Sequence, residues 1–347
     1  MLYGITKGST KSMQTPMITK PKALSARRVL VLKGGWSAER EVSIQSGINV
    51  VKALLKLGHH VETFDPKPNL LHLATGIANS FQGKGPDVIF NILHGKDVED
   101  GLLQGALELS GIPYTFSGVL ASALAMNKPV TRKLVENVGV LVPRGAVLSL
   151  NDYRASPWDH YPHVLKPLDE GSSVGVSIIK DEADFKAALQ TWHYGNQVLV
   201  EDYIKGREIH VAVFGGTAMG CVELVYDSTF FSYEAKYTQG YTKHLIPPPD
   251  LPKEVSDTLH TYAELAHNTL GCRGVTRSDL IYDPSAPKGQ QVFFLEINPQ
   301  PGMTSGSLVP DIAKVYGWSY EDIVAFLVAE ALSYETCTLK KAQQPRL

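Results

Sequence analysis

Short apolar runs and amphipathic stretches alternate through the first third of the chain. RRVLVLKGG reads as a buried strand of a parallel sheet, ending in the Gly34-Gly35 turn. In the stretch that follows, Ile44, Ile48, Val51 and Leu55 recur at spacings of four, three and four. That spacing predicts a helix with these four on its buried face and Gly58 placed to stop it. HHVETFD and DVIFNILHG predict further strands, and EDGLLQGALELSG a helix before IPYTFSG. Such alternation builds βαβ units, so the pattern predicts a small doubly wound sheet with ligand-facing loops at its strand C-termini. Two of those loops, GGWSAEREVS and HGKDVEDG, carry charges that a turn does not need.

From about Leu124 the pattern changes. MNKPVTRKLVENVG reads as a helix with Lys128 in its first turn, and VPRGAVLSL leads into a second domain. HYPHVLKPLDEGSSVGVSIIK reads as two strands around a Gly/Ser loop, with Lys166 on the incoming strand. Gly171, Ser172, Ser173 and Gly175 then form a flap whose N–H and hydroxyl groups can close over phosphates. DEADFKAALQTWHYG predicts a helix, QVLVEDYIKGREIHVAVFGG a pair of strands, and YEAKYTQGYTKHLIPPPD a long polar loop that sets Lys236 beside Tyr237. DLPKEVSDTLHTYAELAHNTLG predicts a helix with Leu259, Tyr262 and Ala266 along one side. SYEDIVAFLVAEALS predicts a closing helix capped by Ser319.

Two more strands lie near the C-terminal end, VTRSDLIYD and the bulky run in QVFFLEINPQ. Alternate side chains share a face, so Arg277 points with Asp279, and Glu296 with Asn298. A hairpin would gather one guanidinium, two carboxylates and an amide oxygen, a set suited to Mg²⁺ that also holds phosphates. The bland alternative is an acidic strand end paired with an arginine on a solvated face. The tail that follows, from Pro299 and Pro301 through Gly302 to Ser307, cannot continue the sheet but offers N–H groups and hydroxyls, as anion-binding loops do.

Elsewhere single residues stay ambiguous. Glu39 at the start of the first predicted helix is favoured by the helix dipole alone. His94 and Glu99 are equally open to a bland reading. Glu201 and Glu208 flank Tyr203 and Ile204 in a way that suits a purine edge and a ribose, although acidic residues near a strand turn are commonplace. The Gly/Ser flap is not a Walker A loop, since GxxxxGK[ST] and GxGxxG are both absent.

At 347 residues the chain is long enough for two or three domains, and its net charge of -2 with 44% apolar residues marks an ordinary globular protein. Beyond residue 28 no dense Lys/Arg cluster points to nucleic acid, and no run of 18 apolar residues predicts a membrane span. Cys221, Cys272 and Cys337 are far apart and in no metal spacing, so a reduced, cytoplasmic setting is the expectation. Residues 1–28 hold six Lys/Arg and no Asp or Glu. An organelle transit peptide shares that composition, but a disordered extension over 1–27 or an over-early start codon is the simpler reading.

Six segments in this order, GGWSAEREVS, LHGKDVEDG, KPLDEGSSVGVS, EAKY, TRSDL and EINPQPGMTSGSLVP, resemble the D-alanine to D-alanine ligase family of ATP-grasp enzymes. The resemblance runs from about Arg28 to about Ser333. It implies an α/β (α+β) ATP-grasp protein with a Rossmann-like N-terminal domain at 28–122, a central domain with the flap at 123–213, a C-terminal domain at 214–337 and a tail at 338–347. It further implies a homodimer that uses ATP with two Mg²⁺ or Mn²⁺ to join two D-alanines through an acyl phosphate.

By the same resemblance Asp279, Glu296 and Asn298 would hold metal, and Lys128, Lys166, Lys236 and Ser173 would touch phosphates. Glu201, Tyr203, Ile204 and Glu208 would hold adenosine. Arg277 and the N–H of Gly302 would face the oxyanion of the second step. Glu39 would anchor the first ammonium with His94 nearby, linked to Ser172 and Tyr237, while Ser307 and Leu308 would take the second carboxylate. Asn127, where aspartate is common, and Gly306, where many members have histidine, depart from the pattern. Tyr237 favours an amine over D-lactate as acceptor. A D-alanine to D-lactate ligase, a nucleotide-sensing protein without turnover and an unrelated ATP-grasp ligase are the rival expectations.

Overall fold

The computed structural model describes residues 18–156, 158–226 and 242–334, arranged around three sheets. The first is parallel, in the order β2-β1-β3, from β1 (Arg28–Leu32), β2 (His60–Phe64) and β3 (Val88–Asn91). It is the doubly wound sheet expected from the alternating pattern. Leu30, Leu32 and Ile89 pack with Leu103 and Leu107 of α3 (Leu102–Ser110) on one face. Val29, Val31 and Phe90 pack on the other with Val50, Ala53 and Leu54 of α1 (Arg40–Lys56).

The helix α1 is where it was expected, but its buried face is not. Ile48 and Leu55 are 37% and 57% exposed, while Ser43, Ser46, Gly47, Val50, Ala53 and Leu54 are buried. The cause is close approach. A Cβ on Gly47 would stand 2.6 Å from the Lys33 side chain. Ser43 Oγ donates to Ile92 O at 2.6 Å and accepts from Gly34 N at 2.9 Å. Hydrogen-bonded small residues take the place of a hydrophobic stripe. The helix α2 (Leu70–Gly83) has no counterpart among the expected elements, because only Leu73, Ile77 and Ser80 are buried. Asn69 caps it, accepting from His72 N.

The second sheet is antiparallel, β4-β7-β5-β6, from β4 (Gly145–Ser149), β5 (His163–Lys166), β6 (Ser177–Ile179) and β7 (Gln197–Asp202). With α6 (Leu150–Ala155) and α7 (Glu182–Thr191) it closes a core of its own around Tyr153, Leu165, Phe185 and Val200. Two helices precede it, α4 (Val119–Met126) and α5 (Lys128–Glu136). Asn127 caps α5 by accepting from Val130 N at 3.1 Å, a bond that aspartate would make equally well.

The third sheet, β10-β9-β8-β11-β12, is antiparallel, from β8 (Arg207–Phe214), β9 (Thr217–Tyr226), β10 (Thr242–Leu245), β11 (Val275–Tyr282) and β12 (Val292–Asn298). One face is covered by α8 (Lys253–Thr269) through Leu259, Tyr262 and Ala266, the residues expected on its inner side. The other packs on α9 (Leu308–Val315) and α10 (Tyr320–Ser333), which join its core to that of the first sheet. Ser319 and Asp322 form a capping box at the start of α10.

Four expectations need correction. The strands β7 and β8 do not pair but belong to different sheets, so the chain changes sheet between Asp202 and Arg207, and the boundary set at 213/214 falls within β8. The boundary set at 122/123 falls within α4. The long loop over YEAKYTQGYTKHLIPPPD ends in strand β10, whose His244 pairs with Leu224, so polar and proline-flanked sequence conceals an edge strand. Lastly, residues 18–27 are not a disordered extension. Ile18 and Leu24 pack against the large core, and Lys20 Nζ donates to Gly317 O and Asp322 Oδ2 at 2.8 and 2.7 Å. Among the described residues no helix is long and apolar enough to cross a membrane.

Candidate active site

The strands β11 and β12 pair in a register that sets Arg277 opposite Asn298 and Asp279 opposite Glu296, with a bulge directly after Asp279. The adjacency expected from the period-two pattern is therefore present. Asp279 is 4% exposed, and both its oxygens are engaged. Arg277 Nε and Nη2 donate to Oδ1 and Oδ2 at 2.7 and 2.9 Å. His210 Nδ1 lies 2.7 Å from Oδ1. Burial alone would raise this carboxyl, but Arg277 and His210 hold it well below the usual carboxylate range.

Two cavities meet at this strand pair. The first, about 590 Å³, is walled by Glu39, His94, Arg277, Asn298 and the loop from Pro299 to Ser307, and it also reaches Ser172, Gly302 and Leu308. The second, about 420 Å³, holds Lys166, Ser173, Glu201, Tyr203, Ile204, Glu208 and Asp279. Lys128 and Glu296 line both, with Nζ 3.7 Å from Oε2. The residues expected at an amino-acid site thus line one cavity and those expected around adenosine the other. Lys236 and Tyr237 lie outside the described residues.

The second cavity is strongly charged. Glu201, itself buried, is paired with both Lys166 and Arg132. Burial, with Lys128 and Arg132 nearby, pulls the Lys166 amine down to about 7, while Glu296 resists that shift. The Glu201 carboxylate that Lys166 touches also favours the ammonium form.

Between the cavities the flap runs from Glu170 to Gly175. Ser172 and Ser173 adopt φ of 50° and 59°, a left-handed geometry that costs energy for non-glycine residues. Val174 N donates to Gly171 O at 3.0 Å. Lys128 Nζ holds Glu170 O, and Lys96 Nζ, from the loop after β3, holds Glu170 Oε1 at 2.8 Å. A Cβ on Gly171 would stand 3.6 Å from Glu39 Oε1, so the flap rests beside the first cavity's carboxylate.

At the far side Thr304 N and Ser307 Oγ close the loop at 2.9 Å, and Leu308 opens α9, whose N-terminus favours an anion. His94 Nδ1 lies 3.0 Å from Glu99 Oε1, and burial raises the Glu99 carboxyl. His94 Nε2 is buried with no partner among the described residues.

Three residues of this site were not singled out from the sequence. Arg132 lies four residues after Lys128 on α5, hence on the same face, and His210 lies two after Glu208 on β8. Those spacings were the available signals. His244, hidden in the expected loop, lines the first cavity with Nδ1 2.8 Å from Asp311 Oδ2.

Comparison with known proteins adds the family. The family described as D-ala D-ala ligase C-terminus matches residues 135–329. The D-alanine–D-alanine ligase of Paramagnetospirillum magneticum is 44% identical over 309 residues, 88% of this chain and 99% of that protein. The Caulobacter vibrioides enzyme of the same name is 41% identical over 94% of this chain and 98% of its own. Among solved structures, a D-alanine–D-alanine ligase from Bacillus anthracis complexed with ATP shares 27% identity at a TM-score of 0.73, covering 88% of this chain and 98% of that one. VanG, a D-Ala:D-Ser ligase from Enterococcus faecalis, shares 28% at the same score, covering 88% and 100%. With its fold, its two cavities and these relatives in agreement, the chain belongs to the D-alanine–D-alanine ligase family, an ATP-dependent enzyme that joins two D-alanines for a cell-wall precursor.

Proposed function

We propose that the first cavity holds the two D-alanines, the second holds ATP, and the γ-phosphoryl group passes between them where Lys128 and Glu296 line both. The observation that carries this reading is the cross-strand pair Asp279 and Glu296 beside Arg277, at that junction. A carboxylate and a triphosphate repel by roughly 4 kcal/mol per unit-charge pair at 4 Å in an effective dielectric near 20. Cations must therefore surround their meeting point.

The donor set fits magnesium. Asp279, Glu296 and Asn298 offer only hard oxygens, and no third His, Cys, Asp or Glu joins them as a metal cluster among the described residues. A cation here would draw the rest of its shell from nucleotide and water, as Mg²⁺ does and as Mn²⁺ can. Two such ions, when bound, neutralise phosphate oxygens and orient the transferring group. Asn298 Oδ1 accepts from Gln300 N at 2.8 Å, which fixes the amide oxygen toward the strand end.

The chain's own groups do the rest. Lys128 and Lys166, with Lys236, draw phosphate oxygens into line, and Ser173 closes over them. Glu201 and Glu208 hold the adenine amino group and the ribose beside Tyr203 and Ile204. Glu39 anchors the ammonium of the first D-alanine with His94, linked to Ser172 and Tyr237, and keeps water from the acyl phosphate formed in the first step. Ser307 and Leu308 hold the second carboxylate at the N-terminus of α9. Arg277 and the N–H of Gly302 face the oxygen that becomes negative when the second amine attacks. Three domains are supported by three sheets, with changes of sheet nearer 202–207 than 213. A cytoplasmic setting fits the free buried thiols of Cys221 and Cys272, and cell fractionation checks it.

A homodimer is supported by Leu102 and Leu109 of α3 and Leu120 of α4, large apolar residues that stand exposed on helices packed together. Light scattering should give twice the chain mass for the parent and one chain mass for Leu109→Asp with Leu120→Asp; a monomeric parent would overturn this. The function itself is tested by ADP release. D-alanine should drive it, while L-alanine, or D-lactate offered as acceptor with limiting D-alanine, should add little. ADP release at background with D-alanine would overturn the proposal.

The lowered Lys166 amine also predicts a pH dependence. Only the ammonium form attracts phosphate, so the affinity of the empty enzyme for ATP should fall as pH rises above about 7, by up to about tenfold per unit. Calorimetric titration in buffers of different ionisation heat should show proton uptake on binding. Lys166→Ala should weaken ATP binding strongly and flatten the profile; an unchanged slope would remove Lys166 from the phosphate site.

A further inference from the structure

The core of the nucleotide side contains a histidine that none of the roles above uses. His210 is fully buried in β8, directly opposite Asp279 of β11. Its Nδ1 lies 2.7 Å from Asp279 Oδ1 and its Nε2 3.0 Å from Glu208 Oε1. Glu208 is two residues back on the same strand, so both side chains leave β8 on one face. Each ring nitrogen thus stands within hydrogen-bond distance of one carboxylate oxygen. The ring therefore bridges two carboxylates that both line the second cavity.

His94 and His244, also buried, each contact a single carboxylate, Glu99 and Asp311, and two further buried histidines contact none. His163, also fully buried, takes the Tyr153 hydroxyl at 2.7 Å and the His160 carbonyl at 2.9 Å. His267 takes the Thr276 hydroxyl at 2.9 Å, and burial pulls its pKa down to about 4. Neither is hydrogen-bonded to a carboxylate, as a ring that only fills space and satisfies neighbours need not be. His210 instead turns both ring nitrogens to acidic side chains of the site that we assign to ATP. With Arg277 also on Asp279, that carboxylate is held from two neighbouring strands.

We propose that His210 is a positioning residue that braces the ribose-facing Glu208 against the metal-facing Asp279, so that filling the sugar site and filling the cation site reinforce each other. The inference rests on the assignment of the second cavity to ATP with a divalent cation. In physical terms, a ribose that takes up Glu208 fixes the ring, and the fixed ring holds Asp279 in its metal-facing rotamer. Because such coupling is reciprocal, a cation on Asp279 must strengthen the hold on the ribose by the same factor.

The test uses the full chain and four dissociation constants, measured by calorimetry for ADP and 2′,3′-dideoxy-ADP, each with and without Mn²⁺. In the parent, loss of the hydroxyls should weaken binding more with Mn²⁺ than without, by at least about fivefold. In His210→Gln the two penalties should become equal, although each nucleotide still binds. His210→Asn is the second variant if the first does not fold, and the parent's own coupling is measured in either case. A purely structural role would shift all four constants by a common factor and leave their ratio unchanged. No coupling in the parent, or parent-like coupling in a folded variant, overturns the inference and leaves the ATP assignment standing. If Mn²⁺ does not alter ADP binding at all, both fall.

Discussion

Two carboxylates placed opposite each other on neighbouring strands repel, and an antiparallel pair tolerates them only with compensating cations. Asp279 and Glu296 are such a pair, and much of the surrounding architecture supplies the compensation. Arg277 grips Asp279 from two positions along the same strand, His210 from the neighbouring strand, and Lys128 approaches Glu296 from the first turn of α5. The third sheet is covered by α8 on one face and by α9 and α10 on the other, which holds these strands rigid. The site proposed to bring a triphosphate to a carboxylate is thus organised around acidic groups already paired with basic ones by the fold. Positive charge in place before any ligand arrives reduces the rearrangement needed at the moment of reaction.

The same economy of charge continues into the second cavity. Lys166 and Arg132 share Glu201 in a buried cluster, where removing one partner would leave an uncompensated charge. Such clusters are costly as packing and useful as binding sites, because an incoming anion replaces a protein carboxylate as partner of the same cations. The first and third sheets share one hydrophobic core, whereas the second sheet has its own. The second sheet's flap reaches the first domain through Lys96 with Glu170 and through Gly171 beside Glu39.

Where the pattern along the chain is simple, the fold was legible. The alternation in VTRSDLIYD and FLEIN placed Arg277 with Asp279 and Glu296 with Asn298, because a strand's period of two is insensitive to its neighbours. The flap, the helix carrying Lys128 and the Ser319 cap were legible for similar local reasons. The buried face of α1 was not, since Ser43, Ser46 and Gly47 are selected by closeness to Lys33 and Ile92 and not by hydrophobicity. The short strand β10 was hidden by polar neighbours and the prolines after it, and a four-residue connection between two consecutive strands does not reveal that β7 and β8 enter different sheets. Arg132 and His210 show a further limit. Each lies at a spacing that marks a shared face, but its importance comes from the carboxylates that tertiary packing brings to it.

The proposed site stands or falls on whether Asp279 and Glu296 hold a divalent cation. The most direct measurement is diffraction at the manganese edge from crystals grown with ADP and Mn²⁺. An anomalous peak bridging the phosphates to Asp279 and Glu296, with Arg277 alongside, is the result the account predicts. Bound nucleotide with manganese held elsewhere, and both carboxylates left without metal, would contradict it.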